Sequence, residues 1–296
     1  MSSKETQKNN FLGWLARQWK GNSLFSIGLV LIFMIILQTF ALNYSACTSF
    51  GECFELWIRN FTNVLRNNAG IGIISLGMAF VIISGGIDLA VGSTLVAVGA
   101  VMMVLMDTGA GGILAAVGIT GLPAYIIAIA AGIIVGMLLG GFTGSLASWG
   151  MIPPFIVTLG TQKIFRSVTQ HFMQSANPAV PGPFCDLANA EIGGYMLLPI
   201  IYWIILAVIL YIVSKRTVFG RQVYAVGSNE RTAKLSGVNV NLVKCKVYIL
   251  MGLLVSLTAV LTIARIGSMD YANAGSGYEL DAIASVAVTY THLTLP

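Results

Sequence analysis

The apolar residues of this chain fall in blocks, and most are long enough to cross a bilayer as helices, which takes about 20 residues each. The first block, Leu24 to Leu42, follows a polar and basic stretch that holds Lys4, Lys8, Arg17 and Lys20 against Glu5. Trp14 and Trp19 in that stretch suit a membrane interface. Residues 43–69 are polar, with a short amphipathic helix expected near Phe54–Arg66. Apolar runs follow at Gly70–Ser84 and Leu89–Met106, parted by Ser-Gly-Gly-Ile-Asp, and at Ala124–Ala147. The segment Phe155–Met173 carries Lys163, Arg166 and His171. It is too polar to face lipid on every side, which places it inside the bundle or as a partial span. Tyr195–Val213 and Val247–Ala264 read as clear spans, and a last helix begins near Asp281. The pattern predicts an all-α, polytopic transmembrane helix bundle of about seven to eight spans, some of them broken or partial.

Composition agrees. Of 296 residues, 56% are hydrophobic and 9% charged, against about 25% charged in a soluble domain. The 33 glycines lie among Ile, Leu, Val and Ala, which suits close helix packing in lipid rather than a flexible linker. The first apolar block lacks a small-residue cleavage site, so it reads as an uncleaved anchor and not a signal peptide.

The net charge of +5 sets orientation. Lys215, Arg216, Arg221, Arg231, Lys234, Lys244 and Lys246 share residues 214–246 with a single acid, Glu230. The positive-inside tendency puts this loop, and the N-terminal tail of residues 1–22, in the cytoplasm. Six segments between them keep both on one side. The stretch 174–194 holds Asp186 and Glu191 but neither Lys nor Arg, and falls outside. No basic patch interleaved with aromatics points to nucleic acid. The four cysteines lack metal-ligand spacing; Cys47 and Cys53 fit a small external disulfide loop or two free thiols equally well.

Four stretches carry candidate function. In Ser84–Ser93, the acid Asp88 interrupts apolar sequence and the pair Gly85 and Gly86 permits a broken helix, the kind of element from which transporters build pathways. A tight surface turn with Asp88 as a helix cap fits the same residues. Gly92 closes this stretch. In the basic loop, Ser228 or Asn229 can cap a helix of about two turns that Gly237 ends; Glu230, Ala233 and Ser236 belong to it. Such a helix is either a docking element for a soluble partner or an ordinary positive loop. Gly275–Ala284 brings Glu279 and Asp281 into an apolar helix, as pathway-mouth acids or as acids stabilised by the helix dipole. In Pro153–Thr161, the prolines start a helix, and Thr158 and Thr161 serve packing or hydrogen bonds across the bundle. Lys163, Arg166 and His171 either pair internally or touch substrate, with internal pairing favoured. No Gly-Lys dipeptide occurs, so there is no P-loop, nor are there H-E-x-x-H or G-x-S-x-G signatures. No catalytic set and no metal cluster emerges.

Together these stretches resemble the permease subunits of bacterial ABC importers for simple sugars, of the ribose, xylose and galactose type. Gly85–Ser93 matches the G-G-x-D-L-[SA]-x-G-S element, and Pro153–Thr161 matches P-x-F-[IV]-x-T-L-G-[TM]. Phe219–Asn239 closely matches the pattern F-G-R or L-G-R, then A-[VLI]-G-x-N-x-x-A-A or a near variant (Thr232 stands at the first of the paired alanines), then S-G-[VI]-[NK]. Ala264–Ser268 and Gly275–Ala284 match A-R-[IL]-G-S and G-x-G-Y-E-L-D-A-I-A. The resemblance covers about residues 55–288, with four motifs in order.

The resemblance implies a membrane-spanning subunit of an ATP-driven sugar importer in the bacterial cytoplasmic (inner) membrane. Two permease subunits, alike or different, would form the pathway, and an extracytoplasmic sugar-binding protein would deliver the substrate. ATP and Mg would be bound by a separate ATPase subunit docked from the cytoplasm, with no cofactor on this chain. Asn229–Gly237 would be the coupling helix to that ATPase. Gly85, Gly86, Asp88, Gly92, Thr158, Thr161, Glu279 and Asp281 would be the candidates for the pathway. Thr143 stands where similar permeases often have Asn. After Val288 the family continues through a Gly-Gly-rich turn into further spans, whereas this chain reads Thr-Tyr-Thr-His-Leu-Thr-Leu-Pro. Residues 289–296 are therefore expected to be foreign to the family, and the membrane domain of residues 23–288 incomplete. Competing readings are a permease for another solute such as branched-chain amino acids, a secondary transporter using Asp88 as an ion site, and, with least support, a membrane-embedded enzyme.

Overall fold

A computed structural model describes residues 23–44, 49–107, 112–150, 152–173, 178 and 180–290. Among these residues there are twelve helices and no strand, with one antiparallel bridge between Ile192 and Tyr195. In chain order the helices are α1 (Ser23–Ala41), α2 (Phe50–Ile83), α3 (Val91–Met106), α4 (Ile113–Ala116), α5 (Leu122–Trp149) and α6 (Pro154–Met173). They continue with α7 (Gly182–Asn189), α8 (Leu198–Arg216), α9 (Val218–Ser228), α10 (Glu230–Leu235), α11 (Val240–Ile266) and α12 (Tyr278–Tyr290). Cys47 and residues 291–296 lie outside the described residues, and so do the choice between a Cys47–Cys53 disulfide and two free thiols and most of the tail expected to be foreign to the family.

The chain divides into two compact units, one up to Phe61 and one from Thr62 on. In the first, Trp57 Nε1 donates to Thr39 Oγ1 at 2.9 Å, fastening the start of α2 to α1. The Trp57 ring lies 4.5 Å from that of Phe61, and Glu55 pairs with Arg59 one turn on.

The second unit is built around α11, whose buried residues include Val247, Tyr248, Met251, Leu254, Val255 and Ala259. Its closest partner is α5. Gly132, Gly136, Gly140 and Gly144 recur every four residues along α5 and form one bare stripe. A methyl group added to Gly252 would come within 2.1 Å of the Gly136 carbonyl oxygen, and one on Gly140 within 2.3 Å of that of Tyr248. The backbones touch because nothing larger than hydrogen stands between them, the small-residue packing that joins helices in lipid. Ser256 Oγ lies on this seam, 2.8 Å from the Gly252 carbonyl and 3.2 Å from that of Gly132 across it. Helix α3 packs against both, with Val91, Leu95, Val98, Met102 and Met106 buried. Trp203 of α8 fits over Gly72 of α2.

Among the described residues, four helices are long and apolar enough to cross a membrane: α2, α5, α8 and α11. Within the second unit, the shorter or more polar α3, α6 and α12 complete a helix bundle. One expectation needs correcting. The amphipathic helix near Phe54–Arg66 and the span from Gly70 to Ser84 form a single helix of 34 residues, about 51 Å long. Polar Arg66 and Asn67 do not break it, because both find side-chain partners elsewhere: Arg66 bonds Asn189 and Arg265 bonds Asn67. The stretch 214–246, read as a loop around one short helix, contains a second helix, α9, and α7 occupies part of the stretch after α6.

The charged end of the bundle is organised by three caps. Thr217 Oγ1 accepts from the Gly220 amide at 3.1 Å, Asn229 Oδ1 from Thr232 at 2.9 Å and Asn239 Oδ1 from Leu242 at 3.1 Å. They start α9, α10 and α11 in turn, each satisfying an amide the helix leaves free.

Candidate translocation site

Helix α2 ends where the glycine pair begins. Gly85 has φ +81°, a left-handed conformation that a Cβ disfavours. The Ser84, Gly85 and Gly86 amides turn back onto the carbonyls of Phe80, Ile82 and Val81 at 2.9–3.0 Å, closing the helix C-terminus. The following segment to Ala90 is not helical. The helix is broken as one sequence reading expected; the other, a surface turn with Asp88 as a helix cap, does not describe it, because Asp88 is buried and its Oδ1 accepts from the amide of Ala90 at 2.9 Å, the residue before α3, which carries no side-chain cap. Tyr248 of α11 holds the break from the side, its hydroxyl donating to the Ile87 carbonyl at 3.1 Å. A methyl on Gly86 would stand 2.9 Å from that hydroxyl.

Two of the four sequence stretches converge at the first turn of α3, joined by Gln162, which directly follows a third. Gly92 faces Gly275 backbone to backbone: a Cβ on Gly92 would approach the Gly275 carbonyl oxygen to 2.1 Å and Glu279 Oε2 to 3.3 Å. Gly275 itself has φ +68°. The Glu279 side chain is buried; Oε1 accepts from Gln162 Nε2 of α6 at 3.3 Å, while Oε2 has no hydrogen-bond partner. Asp88 and Glu279 lie close enough to interact electrostatically. An unpaired buried carboxylate oxygen costs free energy unless a donor reaches it, so this oxygen is poised to accept from a hydroxyl.

Thr158 and Thr161 are buried on α6, but their hydroxyls bond carbonyls of their own helix, Phe155 for Thr158 and Val157 and Thr158 for Thr161. They pack the helix and do not bridge the bundle by hydrogen bonds. Asp281 is exposed and stands apart from the cluster. Of the charged trio, Lys163 and His171 are exposed, whereas Arg166 Nη1 donates to the Ala274 and Tyr271 carbonyls at 2.8 and 3.3 Å. Arg166 thus holds the loop that carries Gly275. Asp270 shapes the same loop, accepting from the Asn273 side chain at 2.8 Å and the Ala272 amide at 2.9 Å. These bonds keep its carboxyl below the usual carboxylate range. Gln162, Asp270 and Tyr248 escaped sequence reasoning; only the position of Gln162 one residue after Thr161 hinted at its role.

At the charged end, α10 has the expected cap at Asn229, and it ends at Gly237 with φ +83°. Glu230 pairs with Lys244 of α11 at 2.7 Å. Ala233 is buried, and Ser236 Oγ bonds the Thr232 carbonyl at 3.0 Å. Leu235 projects, 83% exposed. Helix α9 ties this element to the break: a Cβ on Gly227 would fall 1.8 Å from the Ile83 carbonyl oxygen, and Phe219 stacks on Phe80 at 6.2 Å. No group of three or more potential metal ligands occurs among the described residues. Cys185 and Cys245 are free thiols.

A family described as branched-chain amino acid transport system / permease component matches residues 60–295. The chain is 38% identical to the ribose import permease protein RbsC of Haemophilus influenzae, over 80% of this chain and 70% of that one. It is 37% identical to RbsC of Bacillus subtilis, over 79% and 69%. The D-allose transport system permease protein AlsC of Escherichia coli is 34% identical over 79% and 68%. No solved structure matches the chain.

Proposed function

The chain belongs to this transport-system permease family, and from that premise we propose that it forms the membrane pathway of an ATP-driven importer for a monosaccharide. The identity to ribose and D-allose permeases over about four-fifths of the chain carries the choice of sugar over amino acid. Sugar enters past the first turn of α3, where Glu279 Oε2 accepts a sugar hydroxyl and Gly92 and Gly275 leave room for backbone contact. Gly85, Gly86 and Asp88 form the hinge below it.

The charged end of the bundle, with α9 and α10, faces the cytoplasm together with the N-terminal tail. Seven basic residues in 214–246 support this orientation. An ATPase subunit docks on α10 through the exposed Leu235, with Asn229, Glu230, Ala233, Ser236 and Gly237 fixing the helix that it grips. Its ATP and Mg stay on that subunit. A second permease subunit completes the pathway, and an extracytoplasmic sugar-binding protein feeds it.

The test is uptake of radiolabelled ribose into proteoliposomes containing the full-length permease, the ATPase and the binding protein. ATP-dependent uptake that unlabelled ribose or allose suppresses and leucine does not is the expected result. Suppression by leucine instead would move the assignment to amino acids, and uptake driven by an ion gradient without ATP would sink the importer reading.

A further inference from the structure

Arg66 of α2 and Arg265 of α11 line one small pocket with Pro199 and Tyr278. Two guanidinium groups this near repel each other and would draw a counter-ion. Their protein partners are neutral: Arg66 bonds Asn189 and Arg265 Nη1 bonds Asn67 Oδ1 at 2.6 Å. The ion pairs among the described residues, Arg59–Glu55 and Lys244–Glu230, involve neither. Arg66 Nε is buried and has no hydrogen-bond partner. The pocket has about 10 Å³ of free space, room for about one water-sized oxygen of an anionic group seated at its mouth.

The position of the pocket says where the anion comes from. Pro199 opens the span α8 and Arg265 lies in the last turn of the span α11, so both spans reach the bilayer surface there. Directly below runs an apolar cavity of about 290 Å³, lined by Ile73, Tyr202, Leu206, Leu257, Val260 and Leu261. Leu261 borders both spaces. Leu257, Leu261 and Arg265 recur every four residues on one face of α11, and Arg66 and Ile73 lie two turns apart on α2. The same three helices therefore carry a cationic pocket at the surface and an apolar groove beneath it. We propose that this is a site for an anionic phospholipid, its phosphate on Arg66 and Arg265 and one acyl chain in the groove. Cationic residues at a membrane surface attract anionic headgroups, and a chain in the groove removes apolar surface from contact with water or void.

The test is native mass spectrometry of the purified full-length permease titrated with phosphatidylglycerol or phosphatidylcholine of identical chains. One phosphatidylglycerol per subunit is expected, bound about tenfold more tightly than phosphatidylcholine. The double variant Arg66→Gln/Arg265→Gln brings the two lipids to within about twofold. Leu257→Trp, which fills the groove, weakens both. Millimolar inorganic phosphate leaves bound phosphatidylglycerol in place. Equal binding of the two lipids by the wild type overturns the proposal, as does a preference that survives the double variant. Displacement by phosphate makes this a site for a free anion. Should the double variant not fold, the wild-type comparison, Leu257→Trp and the phosphate competition still decide.

Discussion

The Tyr248 hydroxyl of α11 donates to the Ile87 carbonyl in the unwound segment between α2 and α3, at 3.1 Å. This bond pins a break in one helix to the most buried helix of the bundle. Tyr248→Phe keeps the ring and removes the bond. It is expected to cost about 1–2 kcal/mol, because the Ile87 carbonyl loses its partner. Faster hydrogen exchange confined to residues 84–90, with a lower melting temperature in detergent, would be the signature; unchanged exchange there would mean that the bond does not hold the break.

The seam between α5 and α11 tolerates no added carbon. Gly252→Ala drives a methyl into the Gly136 carbonyl and is expected to destabilise the bundle by about 1–3 kcal/mol. Gly160→Ala is the matched control, since an added methyl there meets nothing within 4 Å and alanine favours the helix by up to about 1 kcal/mol. Melting temperatures of the two variants should move in opposite directions.

Glu279→Gln keeps a side-chain oxygen toward Gln162 but replaces the unpartnered Oε2 with an amide nitrogen, which donates instead of accepting. Sugar uptake should fall by about tenfold, the loss of one hydrogen bond and the misplacement of a donor, while folding is retained. Gly92→Ala should block uptake by closing the approach to Gly275. Initial rates in proteoliposomes with the ATPase subunit measure both, and wild-type rates in Glu279→Gln would remove Glu279 from the pathway.

At the charged end, Leu235→Asp changes an exposed side chain and should leave the stability within about 0.5 kcal/mol of wild type. Recovery of the ATPase in a pull-down from membranes should nonetheless drop. Glu230→Ala, which breaks the exposed pair with Lys244, should likewise cost less than about 1 kcal/mol in stability. Undiminished ATPase recovery with both variants would put the docking surface elsewhere.

What the sequence made legible is local. The Asn229 cap, the Gly237 stop and the break at Gly85 and Gly86 each depend on residues within a few positions of one another, so their chemistry can be read in order. The continuity of α2 could not be read that way. Arg66 and Asn67 look like the polar end of a short amphipathic helix until Asn189 and Arg265 are known to stand beside them. The role of Arg166 was hidden for the same reason, since its acceptors are main-chain carbonyls at Tyr271 and Ala274, which leave no mark in a sequence. The approach of Gly92 to Gly275 is similar: two glycines in separate motifs gave no sign that each makes room for the other.

Gly227 rests against the Ile83 carbonyl with no room for even a methyl group between them. Such a contact has no slack to absorb a displacement, so on the proposed docking at α10 it would serve as the fulcrum of a lever. Leu235 would lie on one arm, and the unwound residues after Ile83 on the other. A load applied by the ATPase at the tip of α10 would then be passed on at α2 with little lost to compression. Any side chain placed at position 227 would shift the lever's rest position before a load arrives.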